Sequence, residues 1–148
     1  MADGDHTPRI LLDDRQSMAV DVDGLVALAR GCLLGEGVPD VELSISLVEE
    51  DEIADLHRRF MDEEGPTDVL SFPLDEAGEA GEDGVRILGD VVICPAVAAR
   101  NAPEDVAGEL RLLLVHGILH LLGHDHIEDA ERVEMWDRQE RYTGVRAR

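Results

Sequence analysis

Hydrophobic and polar positions follow two different periodicities along this chain, and each periodicity predicts a different kind of secondary structure. Residues 41–47 alternate strictly between apolar and polar side chains, which is typical of a strand with one buried face. Apolar residues spaced three and four apart predict helices instead. We expect strands at residues 9–13, 41–47, 69–72 and 87–94, and helices at residues 22–34, 49–61, 96–101, 104–122 and 128–142.

The last two predicted helices differ in how much of their surface is apolar. The second half of helix 104–122 is apolar almost all round, which predicts burial on most sides. Gly123 is expected to end it, because glycine is a common helix stop. Helix 128–142 is amphipathic, and the side chains we expect to face the core are Val133, Trp136 and either Gln139 or Tyr142.

The order of these elements predicts one α+β domain over residues 1–148. We expect a small mixed β-sheet, built from segregated hairpin-like strands and packed by helices. With 44% hydrophobic residues the chain can bury a core without stabilisation by disulfide bonds or a structural metal. Cys32 and Cys94 have no CxxC spacing, and with no export signal visible they are predicted to be reduced, buried thiols of a cytoplasmic protein.

Charge is strongly unbalanced: 34 acidic residues face 13 cationic ones, all of them arginine, for a net charge of −21. Such a surface repels polyanions and argues against general coating of nucleic acids. A local basic cleft or a metal-centred site stays compatible with it. No apolar run approaches the roughly 20 residues that a membrane span needs, so we expect no membrane partner.

Four of the six histidines lie within eleven residues of one another. His116 and His120 are four apart on the predicted buried helix, so both imidazoles lie on one face and reach one ion. Gly123 then lets the chain turn back, so that His126 or His124 can bring a third nitrogen. Three imidazoles with an open fourth position are typical of catalytic zinc.

The histidine pair resembles the HExxH helix of zinc peptidases but differs at the residue after the first histidine. That residue is Gly117, where a zinc peptidase carries the glutamate that acts as general base. The sequence therefore argues against a standard metalloprotease. Another zinc hydrolase of peptides or amides, with a different base, stays an alternative.

Three ordered blocks extend the pattern beyond the histidines. The string HGILHLLGHDH is very similar to the signature H-G-x-L-H-L-x-G-x-D-H of the YbeY family of bacterial metal-dependent endoribonucleases. The blocks PTDVLSFP at residues 66–73 and LGDVVIC at residues 88–94 resemble two further family blocks. The resemblance runs from about residue 41 to residue 136.

This resemblance implies both a fold and an activity. It implies a small mixed sheet with a zincin-like metal helix and one zinc ion per chain over a cleft, held by His116, His120 and His126. The implied activity is hydrolysis of single-stranded RNA, in small-subunit rRNA maturation and ribosome quality control. The small ribosomal subunit is then a partner. A non-catalytic ribosome-assembly factor with a structural metal is a further alternative.

Two positions depart from the family pattern. His124 stands where the family usually has an aromatic residue, and it could be a bystander, a proton shuttle or an alternate ligand. Many members carry an arginine after an aromatic residue upstream of PTDVLSFP, but here Phe60 is followed by Met61. Arg58 or Arg59 could supply the missing charge, and we take Arg59 as the candidate catalytic cation.

A zinc ion with three neutral histidine ligands supplies hydroxide near neutral pH. Without a glutamate at position 117, the proton acceptor must come from elsewhere. Asp125 is one candidate, although orientation of a histidine N–H is the role that we favour for it. Asp68 and Asp90 belong to the two further blocks, and turn or cap hydrogen bonds are the alternative to a part in catalysis.

Overall fold

The computed structural model describes residues 7–73, 84–124 and 129–145. It contains four strands and five helices in these ranges, all close to their predicted positions. In chain order they are β1 (Arg9–Asp14), α1 (Val22–Gly35), β2 (Val41–Leu47), α2 (Glu50–Met61), β3 (Val69–Pro73), β4 (Arg86–Ile93), α3 (Pro95–Asn101), α4 (Val106–Leu121) and α5 (Asp129–Thr143). The predicted α+β class with a small mixed sheet is confirmed.

The four strands form one sheet in the order β1-β2-β4-β3. β1 pairs parallel with β2 and β2 pairs parallel with β4, whereas β3 and β4 are antiparallel. The expectation of hairpin-like strands is therefore wrong for two of the three pairings. The reason is that α1 lies between β1 and β2 in the chain, and parallel neighbours need such a crossover.

Helix α4 lies in the main core, where it contacts α1, α3, α5 and the strands β3 and β4. Its first turn is capped by Asp105, whose carboxylate accepts a hydrogen bond from the Gly108 N–H at 3.0 Å. Residues with exposures of 0% occupy several sides of its second half, among them Leu114, Val115, Ile118 and Leu119. The predicted burial on most sides is confirmed.

A second, smaller apolar cluster joins α2 and α3 to the sheet. Cys94 belongs to it, whereas Cys32 belongs to the main core, and both cysteines are free and buried as predicted. Burial raises the pKa of Cys32 to about 12, with nearby Glu36 adding to the effect. Among the described residues, no helix is both long enough and apolar enough to span a bilayer.

Helix α5 packs with a different face from the one predicted. Val133 and Trp136 are 53% and 43% exposed, whereas Met135 and Gln139 are 1% and 2% exposed. The prediction is wrong for Val133 and Trp136 and correct for Gln139. Few residues of this helix are apolar, and successive residues are 100° apart around its axis. Assigning one residue wrongly to the core therefore changes which face of the helix is predicted to be buried.

Gly117 lies at a close approach of α4 to the sheet. A Cβ atom at this position would lie 2.8 Å from Cγ1 of Val91 and 3.2 Å from Oγ of Ser71. The Ser71 hydroxyl donates a hydrogen bond to the Gly117 carbonyl oxygen at 3.3 Å. A glycine inside a helix costs about 1 kcal/mol relative to alanine, and this close approach is what requires it.

We expect Gly117→Ala to lower the free energy of unfolding by about 1–3 kcal/mol, because the added methyl group overpacks a stiff, fully buried valine. Gly31→Ala is the matched control: Gly31 lies in helix α1, and beyond the neighbouring backbone of that helix no atom lies within 4 Å of its Cβ position. It should raise stability by up to about 1 kcal/mol. Urea unfolding of both variants gives the comparison, and equal effects would contradict the tight contact.

Candidate metal centre

Helix α4 brings the two predicted metal ligands to one face. His116 and His120 lie one turn apart, with ring centroids 6.3 Å apart and ring planes inclined by 20°. His116 is partly buried and His120 is exposed, so the pair leads from the core to the surface. The arrangement follows from the i, i+4 spacing on a rigid, packed helix.

Gln139 of helix α5 fixes the protonation of His116. The Nδ1 atom of His116 lies 2.8 Å from Oε1 of Gln139. An amide oxygen can only accept, so the imidazole donates from Nδ1–H, and in its neutral form it carries its lone pair on Nε2. Histidines that ligate a metal through one nitrogen commonly donate the other N–H in this way.

A cleft of about 290 Å³ opens beside His116. It lies between α4, α5 and the beginning of β3, and its polar side-chain groups are two carboxylates, one amide, one imidazole and one indole N–H. The residues that line it are Asp68, Val69, Glu109, Leu112, Leu113, His116, Trp136 and Gln139. The carboxylate of Asp68 also accepts a long hydrogen bond, 3.5 Å, from Asn101. This bond is consistent with a structural role for Asp68, the alternative to a part in catalysis.

His124 turns away from the direction of the α4 helix. Gly123 adopts a positive φ of 98°, a conformation that glycine takes without strain, and the helix ends there as predicted. Nε2 of His124 lies 3.2 Å from Oε1 of Glu36, whose side chain is 6% exposed. His124 thus contacts a carboxylate at the end of α1.

Glu36 is the centre of a cluster of charged and polar side chains. Arg138 donates to both of its carboxylate oxygens at 2.8 Å, and the Tyr142 hydroxyl donates to Oε2 at 2.5 Å. Burial would raise the pKa of Glu36, but these bonds and the His124 contact outweigh it, so the pKa lies below its usual value. The same burial and hydrogen bond raise the pKa of Tyr142 to about 12. The cluster ties α5 and His124 to α1.

Three further predicted site residues are Arg59, Asp125 and His126. His126 and Asp125 lie outside the described residues, and within the described ranges no three His, Cys, Asp or Glu side chains are grouped to hold a metal ion. Arg59 is on α2, where its guanidinium lies 3.3 Å from Asp55 and 5.7 Å from the Phe60 ring centre. Its part in catalysis stays a prediction.

Sequence reasoning missed two groups that hold the site in place. Gln139 was predicted only as one of two residues that could face the core, and Glu36 was not singled out at all. For Gln139 a signal existed, because a buried amide needs hydrogen-bond partners. For Glu36 no local signal exists, since its partners His124 and Tyr142 are 88 and 106 residues away in the chain.

Comparison with known proteins decides the family. Residues 14–144 match the family model described as endoribonuclease YbeY. The chain belongs to the YbeY endoribonuclease family. A relative named endoribonuclease YbeY from Parafrankia sp. is 54% identical over 125 residues, covering 78% of this chain and 79% of the relative. One of the same name from Thermobifida fusca is 50% identical, covering 85% and 86%.

A solved structure shares the YbeY fold seen here. The solution structure of a Thermotoga maritima protein superimposes with a TM-score of 0.59 at 33% sequence identity. The match covers 92% of this chain and 86% of the other. Both the family resemblance stated from the sequence blocks and the α+β fold that it implied are thus confirmed.

We expect the Nδ1–H tautomer of His116 to depend on Gln139. Nitrogen NMR shifts of the metal-free protein at about pH 8, above the usual histidine pKa of about 6.5, should show Nδ1 protonated in the wild type. Gln139→Glu keeps an acceptor and should keep that tautomer. Gln139→Met removes the acceptor, and it should change the tautomer and lower the free energy of unfolding by about 1–3 kcal/mol. An unchanged tautomer in Gln139→Met would contradict the orienting role.

Proposed function

We propose that this chain is a zinc-dependent endoribonuclease that cleaves single-stranded RNA. The observation that carries the proposal is the His116–His120 pair, in which His116 is oriented through Nδ1 by Gln139. An imidazole held in this tautomer offers Nε2 as a ligand, and zinc is commonly bound by imidazole. Membership of the YbeY endoribonuclease family supports RNA as the substrate.

The proposed ligand set is His116, His120 and His126, with one zinc ion per chain. His126 follows the Gly123 turn, and it matches the last histidine of the family signature. The contact of His124 with Glu36 supports leaving His124 out of the set. Zinc bound by three histidines supplies a nucleophile near neutral pH and polarises a phosphoryl oxygen.

Side chains of this protein would then accept or hold protons and position the metal ligands and the RNA. Gln139 holds the proton of His116 on Nδ1. Asp125, which precedes His126 in the sequence, is proposed as the proton acceptor or as the group that orients a histidine N–H. Arg59 is proposed to contact the RNA phosphates, which requires it to exchange its ion pair with Asp55.

A zinc peptidase is a weaker alternative for a steric reason. The glutamate of the HExxH motif would stand at position 117, where even a Cβ atom would lie 2.8 Å from Val91. A side chain at position 117 would therefore have to displace Val91, and the chain has none there. A peptidase would need a general base elsewhere.

The proposed substrate is ribosomal RNA of the small subunit, and the proposed partners are that subunit and its proteins. This assignment rests on the family resemblance, which implies maturation of that RNA and ribosome quality control. The same resemblance supports our proposal of a cytoplasmic location, because ribosomes are assembled there in bacteria. We propose that the whole chain, residues 1–148, acts as one catalytic domain.

We expect about one zinc per purified chain and cleavage of single-stranded RNA that stops on addition of EDTA, with no cleavage of peptides. His116→Ala, His120→Ala and His126→Ala should each lose tight zinc binding and cleavage, because each removes one of three protein ligands. His124→Tyr should keep the zinc and most of the activity. Zinc affinity from chelator competition and RNA gels measure both properties.

The opposite pattern at the last two histidines would reverse the ligand assignment: weak zinc binding in His124→Tyr with normal binding in His126→Ala. Cleavage of peptides but not RNA would overturn the proposed activity. Binding of the metal-free protein to the small subunit, with no RNA cleavage in any metal state, would identify an assembly factor instead.

A further inference from the structure

Trp136 is the one tryptophan of the chain, and it lines the cleft beside His116 while remaining 43% exposed. It lies one helical turn from Gln139 on α5. The core face of this helix is formed by Met135 and Gln139, which are almost fully buried. A large aromatic ring therefore stands open to solvent at the edge of the candidate site, whereas tryptophan is highly buried on average.

The charge of the cleft excludes one common way of holding RNA. Asp68 and Glu109 contribute carboxylates, and no arginine is among the described residues that line the cleft. The chain as a whole carries a net charge of −21. Away from the proposed metal, phosphates are repelled by such surroundings, so a base suits this cleft better than a phosphate does.

A nucleobase suits the groups that are present. Every base has a flat face that stacks on an aromatic side chain, and such stacking is a general means of holding single strands. The exocyclic amino groups of adenine, cytosine and guanine are donors, which match the acceptor carboxylates of Asp68 and Glu109. At about 290 Å³ the cleft is near the lower end of the size range of ligand pockets, as expected for one flat ring.

We propose that Trp136 stacks on a base of single-stranded RNA next to the position of the scissile phosphate at His116 and His120. This inference rests on the proposed ribonuclease function and adds the residue that holds the substrate. It makes Trp136 a binding residue that recognises bases, and it predicts that binding depends weakly on salt, because few phosphate contacts contribute to it.

The single tryptophan gives a direct test in the metal-free protein, which we expect to bind RNA without cutting it. Titration with a short single-stranded RNA of mixed sequence should quench the tryptophan fluorescence. The same sugar–phosphate chain without bases should leave it unchanged. Trp136→Ala removes the indole on which the base stacks, so its affinity for labelled RNA should fall by about 5- to 150-fold. Trp136→Phe keeps an aromatic ring and should retain most of the affinity.

Val133→Ala is the matched control, since Val133 is an exposed apolar residue of the same helix that does not line the cleft. It should bind RNA like the wild type. With zinc bound, Trp136→Ala should raise KM for RNA much more than it lowers kcat, an effect that a merely structural role would not single out.

Three results would overturn the inference. Equal quenching by the base-free chain would show contact with the backbone instead of a base. Unchanged RNA affinity and KM in Trp136→Ala would remove Trp136 from binding while leaving the ribonuclease activity standing. Quenching by an unstructured peptide, with none by RNA, would identify a peptide cleft and would be accompanied by failure of the proposed RNA cleavage.

Discussion

The contact between Gly117 and Val91 determines where everything else in the candidate site lies. It allows α4 to approach the sheet so closely that a Cβ atom at position 117 would collide with the Val91 side chain. With Gly117 against β4, the neighbouring His116 faces α5 and the cleft, and His120 follows one turn later. The stiffness of this packed helix is what gives two flexible imidazoles a common direction.

Burial creates a second requirement, because an imidazole beside the core needs partners for its nitrogens. Helix α5 meets it with the buried Gln139, whose oxygen accepts from Nδ1 of His116. Glu36 fastens that helix by accepting from Arg138 and Tyr142 while contacting His124. The site is therefore supported from α1 and α5, which are distant in the sequence.

Much of this could be predicted from the chain itself. Period-2 and period-3.6 patterns locate all nine described elements, since local burial determines them. Strand pairing could not be derived in this way: β2 pairs with β4 although α2 and β3 lie between them in the chain, and no local pattern indicates that pairing. The packed face of α5 was misjudged because Val133 and Trp136 are apolar but exposed. The exposed indole belongs to the cleft instead of the core.

Zinc-edge X-ray absorption of the purified, zinc-loaded chain tests the metal centre on α4 most directly. Three imidazole nitrogens at about 2.0–2.1 Å from the metal are expected. The number of imidazoles should fall in His116→Ala, which lacks the ring that Gln139 orients. Sulfur at about 2.3 Å, or an unchanged imidazole number in that variant, would contradict a zinc site built on helix α4.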